Sequence, residues 1–328
     1  MRIGFDVSAL ERPHPPGIVR VTSALALALE RRARIELVRL APPPGRGLFV
    51  WRQLDLPHRA RELALDGIHS PLSAFALAGP GKRVQTLHEL PWRHGVHENA
   101  GLAHRFWASI GPRAADAVVT ATEYVARELR AAIPELASRV HVIPWGVDAR
   151  FRPGTSAPQG YVLCPGAVRA KKNLGATLQG AALCRVRPRV VVTGEPSEHL
   201  RGEHAHAAQL GLELEATGSV DDARMLELYR RASVVSVLSS SEGFGLPVLE
   251  ALACGTPVLV PRASAQAEVA GVAGIEVDPD DPESVAAGIE RAQRERVVLA
   301  ALGLARASEF AWERCAERVE RLWQELCP

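Results

Sequence analysis

Lysine is nearly missing from this chain of 328 residues: of 39 basic side chains only Lys82, Lys171 and Lys172 are lysines. Aromatic residues make up 5%, and no basic stripe interleaves with them, which argues against a nucleic-acid partner. The five cysteines (164, 184, 254, 315 and 327) form no CxxC pair. They are expected as small core residues in a reducing compartment, neither a disulfide frame nor metal ligands. No apolar run is long enough to span a bilayer, and the start Met1-Arg2-Ile3-Gly4-Phe5-Asp6 lacks the plan of a signal peptide, so a cytoplasmic protein is expected. The 11 histidines, His199, His204 and His206 included, show no ligand spacing with matching carboxylates, so no metal site is expected. No GxGxxG follows the first strand-like stretch, and neither a Ser-His-Asp nor a Cys-His frame is recognisable. No internal repeat or low-complexity tract occurs.

What is present is enough apolar content, 47%, for two cores of ordinary size. The net charge of +2 hides an asymmetry: residues 1–152 carry 21 Lys and Arg against 14 Asp and Glu, while 153–328 carry 18 against 23. A basic half suits an anionic partner such as a lipid surface or a phosphate-bearing acceptor, or is simply an arginine-rich solvated surface. Strands are predicted at 2–7, 35–40, 67–69, 83–87, 117–120 and 139–143, with helices at 19–32, 98–113 and 122–132 between them. Residues 151–160, rich in Pro, Gly and Ser, read as a linker. The alternation then restarts, with strands at 161–165, 190–194, 212–217, 234–238, 257–261 and 272–277. Helices are predicted at 174–184, 221–232, 247–253 with Pro247 as its first residue, 282–293, 296–309 and 312–326. Alternating β and α predicts parallel sheets covered by helices, and ligands then bind beyond the carboxyl ends of the strands, in a cleft between the halves.

Residues 239–261 are the most informative stretch. The apolar run Val234, Val235, Val237 and Leu238 leads into Glu242-Gly243-Phe244-Gly245, and Pro247 stands near a helix start, where its missing N–H is not needed. Val248, Leu249, Leu252 and Ala253 give that helix an apolar face, and Gly255 with Pro257 ends it. A glycine loop opening a helix is an anion site, because free N–H groups and the helix dipole meet there. Glu242 and Glu250 flank it and would repel a bare phosphate. They suit hydroxyls, so a ligand carrying both kinds of group is expected: a nucleotide sugar.

Other candidates stand around it. Lys171 and Lys172 lie after the strand at 161–165 and before a helix start at Asn173, placed to hold a diphosphate or to edge a solvated loop. His88 follows the strand at 83–87 and could exchange a proton near neutral pH, or be structural. Gly17 after Pro15-Pro16 permits a close backbone approach at the first strand-to-helix turn.

In this order the motifs resemble those of the family 4 (group 1) retaining glycosyltransferases. They are Gly17-Ile18, Thr86-Leu87-His88-Glu89, 142–148, 166–173, the Glu-x7-Glu pair 242–250, 255–258 and Phe310-Ala311-Trp312-Glu313-Arg314. The resemblance covers nearly the whole chain. It implies the α/β GT-B fold: two Rossmann-like doubly wound domains, 1–152 for the acceptor and 153–310 for the donor, with a last helix, 311–328, returning to the first. It also implies the roles of the residues. His88, Glu242 and Lys172 would be catalytic. Arg169, Lys171 and Lys172, with backbone at Gly17, Gly245 and Leu246, would hold the diphosphate. His88, Glu242, Gly243 and Phe244 would meet the transferred sugar, and Glu250 the ribose. The loop at 169–173 departs from the family's usual pattern, and the chain is short in the region 41–70, where acceptor loops would lie.

The expected function is transfer of a sugar, mannose from GDP-mannose first and a UDP- or dTDP-sugar otherwise, to a hydroxyl of a glycan, lipid-linked or natural-product acceptor. No cofactor or metal is expected, and peripheral contact with the inner face of a membrane is left open. A catalytically silent sugar-nucleotide-binding protein and an epimerase of the same fold are the alternatives.

Overall fold

The computed structural model describes residues 1–12, 14–96, 101–155 and 157–328. Residues 98–100 of the helix expected at 98–113 lie outside them. The chain divides into two compact units, Met1–Gly146 with Phe310–Pro328, and Val147–Glu309. Each holds one six-stranded parallel sheet.

In the first unit β1 (Arg2–Asp6), β2 (Glu36–Leu40), β3 (Gly67–Ser70), β4 (Lys82–Thr86), β5 (Ala117–Thr120) and β6 (Val140–Val142) lie in the order β2-β1-β3-β4-β5-β6. Ile3 sits opposite Leu37 on one side and Gly67 on the other. The step from β1 to β2 runs one way along the sheet, and all later steps run the other way. Right-handed crossovers therefore set helix Pro16–Glu30 on one face and the helices at 48–62, Leu102–Ala114 and Glu123–Ala132 on the opposite face. Shared cores agree: Ala108, Ala126 and Leu129 pack together with Leu87 and Val118. The last helix, Trp312–Leu326, joins the other face, where Glu320 pairs with Arg32 at 2.5 Å.

The second unit holds β7 (Val162–Cys164), β8 (Val190–Val192), β9 (Leu214–Ala216), β10 (Val234–Ser236), β11 (Val258–Pro261) and β12 (Gly274–Val277) in the order β12-β11-β10-β7-β8-β9. Val235 faces Leu163 of β7 and Val258 of β11. Short valine-rich strands buried on both faces suit such a central position. The direction of winding reverses between β7 and β10, which makes their carboxyl ends the place for a ligand.

Several helical segments, the short helix Ser8–Glu11 among them, differ from the sequence expectation. Residues 48–62 are helical, with a wide π turn over Trp51–Asp55. Glu198–Gln209 and Ala265–Ala270 are helices, opened by Ser197 and Ser264, whose side chains accept from Leu200 N and Ala267 N. The expected linker at 151–160 belongs to the second unit: Phe151 is buried, its ring edge-on to Tyr229 at 5.7 Å. The five cysteines are free, and burial pushes the thiols of Cys164, Cys254 and Cys315 up to about 12, far from a reactive thiolate. Among the described residues no helix is long and apolar enough to cross a membrane.

Candidate functional site

The carboxyl ends of β7 and β10 each open into a loop, and the two loops are tied together. After β7 comes the turn Ala170–Lys172, then Asn173 in the left-handed region (φ 52°) at the start of helix Leu174–Leu183. After β10 comes 237–245, and Ser240 donates its N–H to the Lys171 carbonyl at 2.9 Å. Lys171 is buried and Lys172 half-buried, whereas Arg169 is exposed on the rim.

Between the loops Lys172 Nζ donates to Glu242 Oε1 at 2.5 Å. The side chains are 26% and 17% exposed, so the pair is shielded yet reachable. Burial works to raise the Glu242 carboxyl. The charges of Lys172 and Lys171, with the Lys172 hydrogen bond, outweigh it and hold the group below the ordinary carboxylate range. Ser239 adds to this from nearby, although its buried hydroxyl makes no well-formed hydrogen bond. A small pocket lies alongside, lined by Cys164, Gly166, Lys172, Leu174, Ser236 and Ser239. Two lysines against one carboxylate leave the site cationic overall, which suits an anion that also carries hydroxyls.

Gly245 closes the second loop as the cap of helix Leu246–Ala253, with φ 92° and ψ 60°. This conformation costs a side-chain-bearing residue strain, and a Cβ there would meet Gln266 Cγ at 3.3 Å. Gln266 belongs to helix Ala265–Ala270 and props the loop by donating to the Ser239 carbonyl at 3.0 Å. In the first turn of Leu246–Ala253 Pro247 has no N–H, and Val248 and Leu249 donate to the Gly245 carbonyl at 2.9 and 3.4 Å, which leaves the N–H of Leu246 for a ligand. Pro247 sits one residue further into the helix than expected, where its missing N–H is equally harmless.

Glu250 is buried in the same helix, and the Tyr229 hydroxyl donates to its Oε2 at 2.7 Å. Thr256 Oγ1 in turn donates to the Tyr229 carbonyl at 2.7 Å, fixing the tyrosine from behind. No local signal singles out Tyr229, because the contact depends on how helix Asp222–Arg231 packs. Gly243 is half-buried in the loop, and Phe244 is buried with its ring turned into the protein.

In the first unit the winding reverses between β1 and β3. His88 stands two residues past β4, and its Nε2 lies 2.8 Å from the Pro71 carbonyl, just past the end of β3. A carbonyl only accepts, so Nε2 carries the proton and Nδ1 presents the lone pair. The ring leans on Trp145 at 5.9 Å, and burial pushes the imidazole below its ordinary value despite the Pro71 bond. His88 is thus a neutral acceptor at pH 7. At the end of β1 a network appears that sequence reading missed. Asp6 is fully buried and accepts from Ser8 N at 3.0 Å, Trp51 Nε1 at 3.2 Å and Arg52 Nε at 3.3 Å. A lone carboxylate closing an apolar strand was its only signal. Gly17 is exposed in the first turn of helix Pro16–Glu30, in the first unit.

Two doubly wound sheets, each with residues gathered at its switch point, define the GT-B class of glycosyltransferases, and comparison with known proteins agrees. Residues 4–151 match the Glycosyltransferase Family 4 model and 148–303 the Glycosyl transferases group 1 model. The chain belongs to the group 1, or family 4, glycosyltransferases. It is 30% identical over 314 residues to a D-inositol 3-phosphate glycosyltransferase of Acidothermus cellulolyticus, covering 79% of this chain and 67% of that one. It is 31% identical over 182 residues to the O-antigen chain mannosyltransferase B of Escherichia coli, covering 51% of this chain but only 46% of that protein. The Anabaena protein HepE in complex with UDP-glucose has the same fold, with TM-score 0.79, 18% identity and coverage of 99% and 100%. So does the sucrose-phosphate synthase of Thermosynechococcus elongatus, with TM-score 0.79, 17% identity and 99% coverage of both chains.

Proposed function

We propose that this glycosyltransferase retains configuration at the transferred sugar and takes its donor, a nucleotide-diphosphate sugar, at the carboxyl ends of β7 and β10. One observation carries this reading: Lys172 and Glu242, 70 residues apart in sequence, meet at 2.5 Å beside the helix that Gly245 opens. Lys171, Lys172, Arg169 and the N–H groups of Gly245 and Leu246 are assigned to the diphosphate. Glu242 and Gly243 are assigned to the sugar and Glu250, oriented by Tyr229, to the ribose. Phe244 serves this reading through its backbone, because its ring is buried. His88 is assigned to the transferred sugar as a hydrogen-bond acceptor through Nδ1. The first unit is assigned to the acceptor.

In the proposed reaction the bond from the sugar C1 to the diphosphate oxygen breaks as the acceptor oxygen bonds to C1 on the same face. The acceptor proton passes to the departing diphosphate oxygen. Lys171, Lys172 and the helix start stabilise the charge growing there, so the protein supplies its own cation without a metal. GDP-mannose is the first donor to try, since one relative is named a mannosyltransferase. UDP-glucose is the second, since HepE is seen with it. The acceptor is proposed as a glycan or lipid-linked hydroxyl.

Calorimetric titration with GDP-mannose, UDP-glucose and dTDP-glucose tests the donor site. One of them binds, and Lys172→Ala weakens it by about 30-fold or more, the effect of truncating one partner of a shielded charge pair. Binding of none, or an unchanged affinity in Lys172→Ala and Glu242→Ala, overturns the assignment. Binding without turnover on any acceptor favours the silent binding protein.

A further inference from the structure

The His88 ring is fixed at one atom by its hydrogen bond. Nε2 lies 2.8 Å from the Pro71 carbonyl, a contact that anchors this nitrogen and leaves the ring able to turn about it. Nδ1 is the atom that the proposed function uses, so a second contact must set its direction. That contact is the Trp145 indole, whose centroid lies 5.9 Å from the imidazole with the two planes tilted by 46°. His88 stands two residues past β4 and Trp145 three past β6, and β5 runs between those strands. Neighbouring strands are about 4.8 Å apart, so the two segments start roughly 10 Å from one another. A long, flat side chain spans that gap and a small one does not.

Trp145 is itself held in place. It is 2% exposed, and its ring lies nearly parallel to that of Trp312, at 6.5 Å and 20°. Trp312 opens the last helix, Trp312–Leu326, which belongs to the first unit. Gly146 makes room beside Trp145: a Cβ there would run into Trp312 N and stand 2.7 Å from the Ala311 carbonyl carbon. Rings from three distant segments thus form one row within the first unit, and the imidazole at its end is the one titratable group among them. Burial pushes that imidazole below its ordinary value, and the indole supplies part of the cover. The other charges near it are Glu89, its neighbour in the chain, and His104 of helix Leu102–Ala114, whose Nε2 donates to the Glu89 carbonyl at 3.3 Å. We infer that Trp145 is a positioning residue for the sugar transfer: backed by Trp312, its indole sets the plane of the His88 ring and so aims Nδ1 at the transferred sugar. This inference rests on the assignment of His88 proposed above.

NMR of the chain labelled with 15N in its histidine rings tests this, with the His88 signal identified by its loss in His88→Gln. In the intact chain Nε2 carries the proton at pH 7.5, and the ring titrates below 6.5. Trp145→Leu brings the midpoint up toward 6.5 and mixes the two neutral tautomers. Trp145→Phe, which keeps a shorter ring, does the same to a smaller extent, and Trp312→Leu moves the signal in the same direction. Turnover is read as release of UDP from UDP-glucose or of GDP from GDP-mannose. Trp145→Leu lowers kcat by about tenfold and changes the KM for donor by less than about twofold, because it touches none of the groups assigned to the diphosphate. An unchanged midpoint and tautomer in both Trp145 variants overturns the inference; Trp145→Phe decides the matter if Trp145→Leu loses the circular dichroism spectrum of the intact chain. A moved midpoint with kcat intact, where His88→Gln lowers kcat, overturns it as well. Full turnover in His88→Gln overturns the assignment of His88, and the inference with it, whatever the NMR result.

Discussion

His69 is buried completely in the first unit, and burial pushes its imidazole down to about 3 from an ordinary 6.5. The Trp323 indole N–H points to its Nδ1 at 3.4 Å, so Nδ1 is the acceptor and Nε2 carries the proton toward Thr86 Oγ1 at 3.5 Å. A second proton would set two N–H groups against each other in an apolar surround. Above pH 6.5 neither folded nor unfolded chain is protonated here, and His69 leaves stability unchanged. As pH falls below 6.5 the unfolded chain binds a proton that the folded chain refuses, and stability is lost until about pH 3. At pH 5 the loss is about 2 kcal/mol. Urea midpoints at pH 7.5 and pH 5 should therefore converge in His69→Gln relative to the parent chain. An equal acid loss in both would show that other groups dominate. The cationic pair at Lys171 and Lys172 is the opposite case at this scale. There burial is countered by charge, and the balance keeps Glu242 ionised where a ligand hydroxyl can use it.

Helix Leu246–Ala253 shows how much an element depends on the residue just before it. Gly245 at φ 92° makes the turn from the loop that carries Glu242 into the helix. Gly245→Ala should destabilise the protein by about 1–2 kcal/mol, since an L side chain resists that backbone, and should weaken donor binding alongside. Urea unfolding with donor titration checks this, and unchanged values in both would mean the loop accommodates a side chain. All twelve strands were legible as elements, because runs such as Val190–Val192 and Val234–Ser236 are apolar, β-branched and bounded by Gly or Pro. Helix Glu198–Gln209 was not, since it buries only Leu200 and Ala207 and so has almost no apolar periodicity. Its one legible mark is the cap at Ser197, a single residue. The segment 48–62 was hidden by Pro57 and by the break in period where its π turn widens. At the site, Glu242, Glu250 and the lysines could be read because loop and helix signals lie next to them in sequence. Tyr229 and the Asp6 network could not, because their partners are brought in only by packing.

On the scale of the whole molecule, cores are built separately. Val162, Leu178, Val234, Leu259 and Ile289 share one core within the second unit, while Leu87, Val118 and Leu129, and Trp51, Leu56 and Ile68, form cores within the first. Residues 310–328 nevertheless belong to the same unit as residues 1–146, so the first unit draws on segments far apart in sequence. Trp323 is fully buried, and a Cβ on Gly67 of β3 would come within 2.6 Å of its ring, so the glycine is what admits the indole. Truncating a side chain of that size leaves a cavity that costs about 3–5 kcal/mol. Trp323→Ala should therefore lower amide-exchange protection in β1, β3 and β4 and leave β7, β10 and β11 near their parent values, because the second core loses no contact. Exchange measured by mass spectrometry on peptides from each sheet distinguishes the cases. Equal loss in both sheets would mean that the units unfold as one cooperative body. A loss confined to the first would mean that donor binding, which is assigned to the second sheet alone, survives damage that melts the proposed acceptor side.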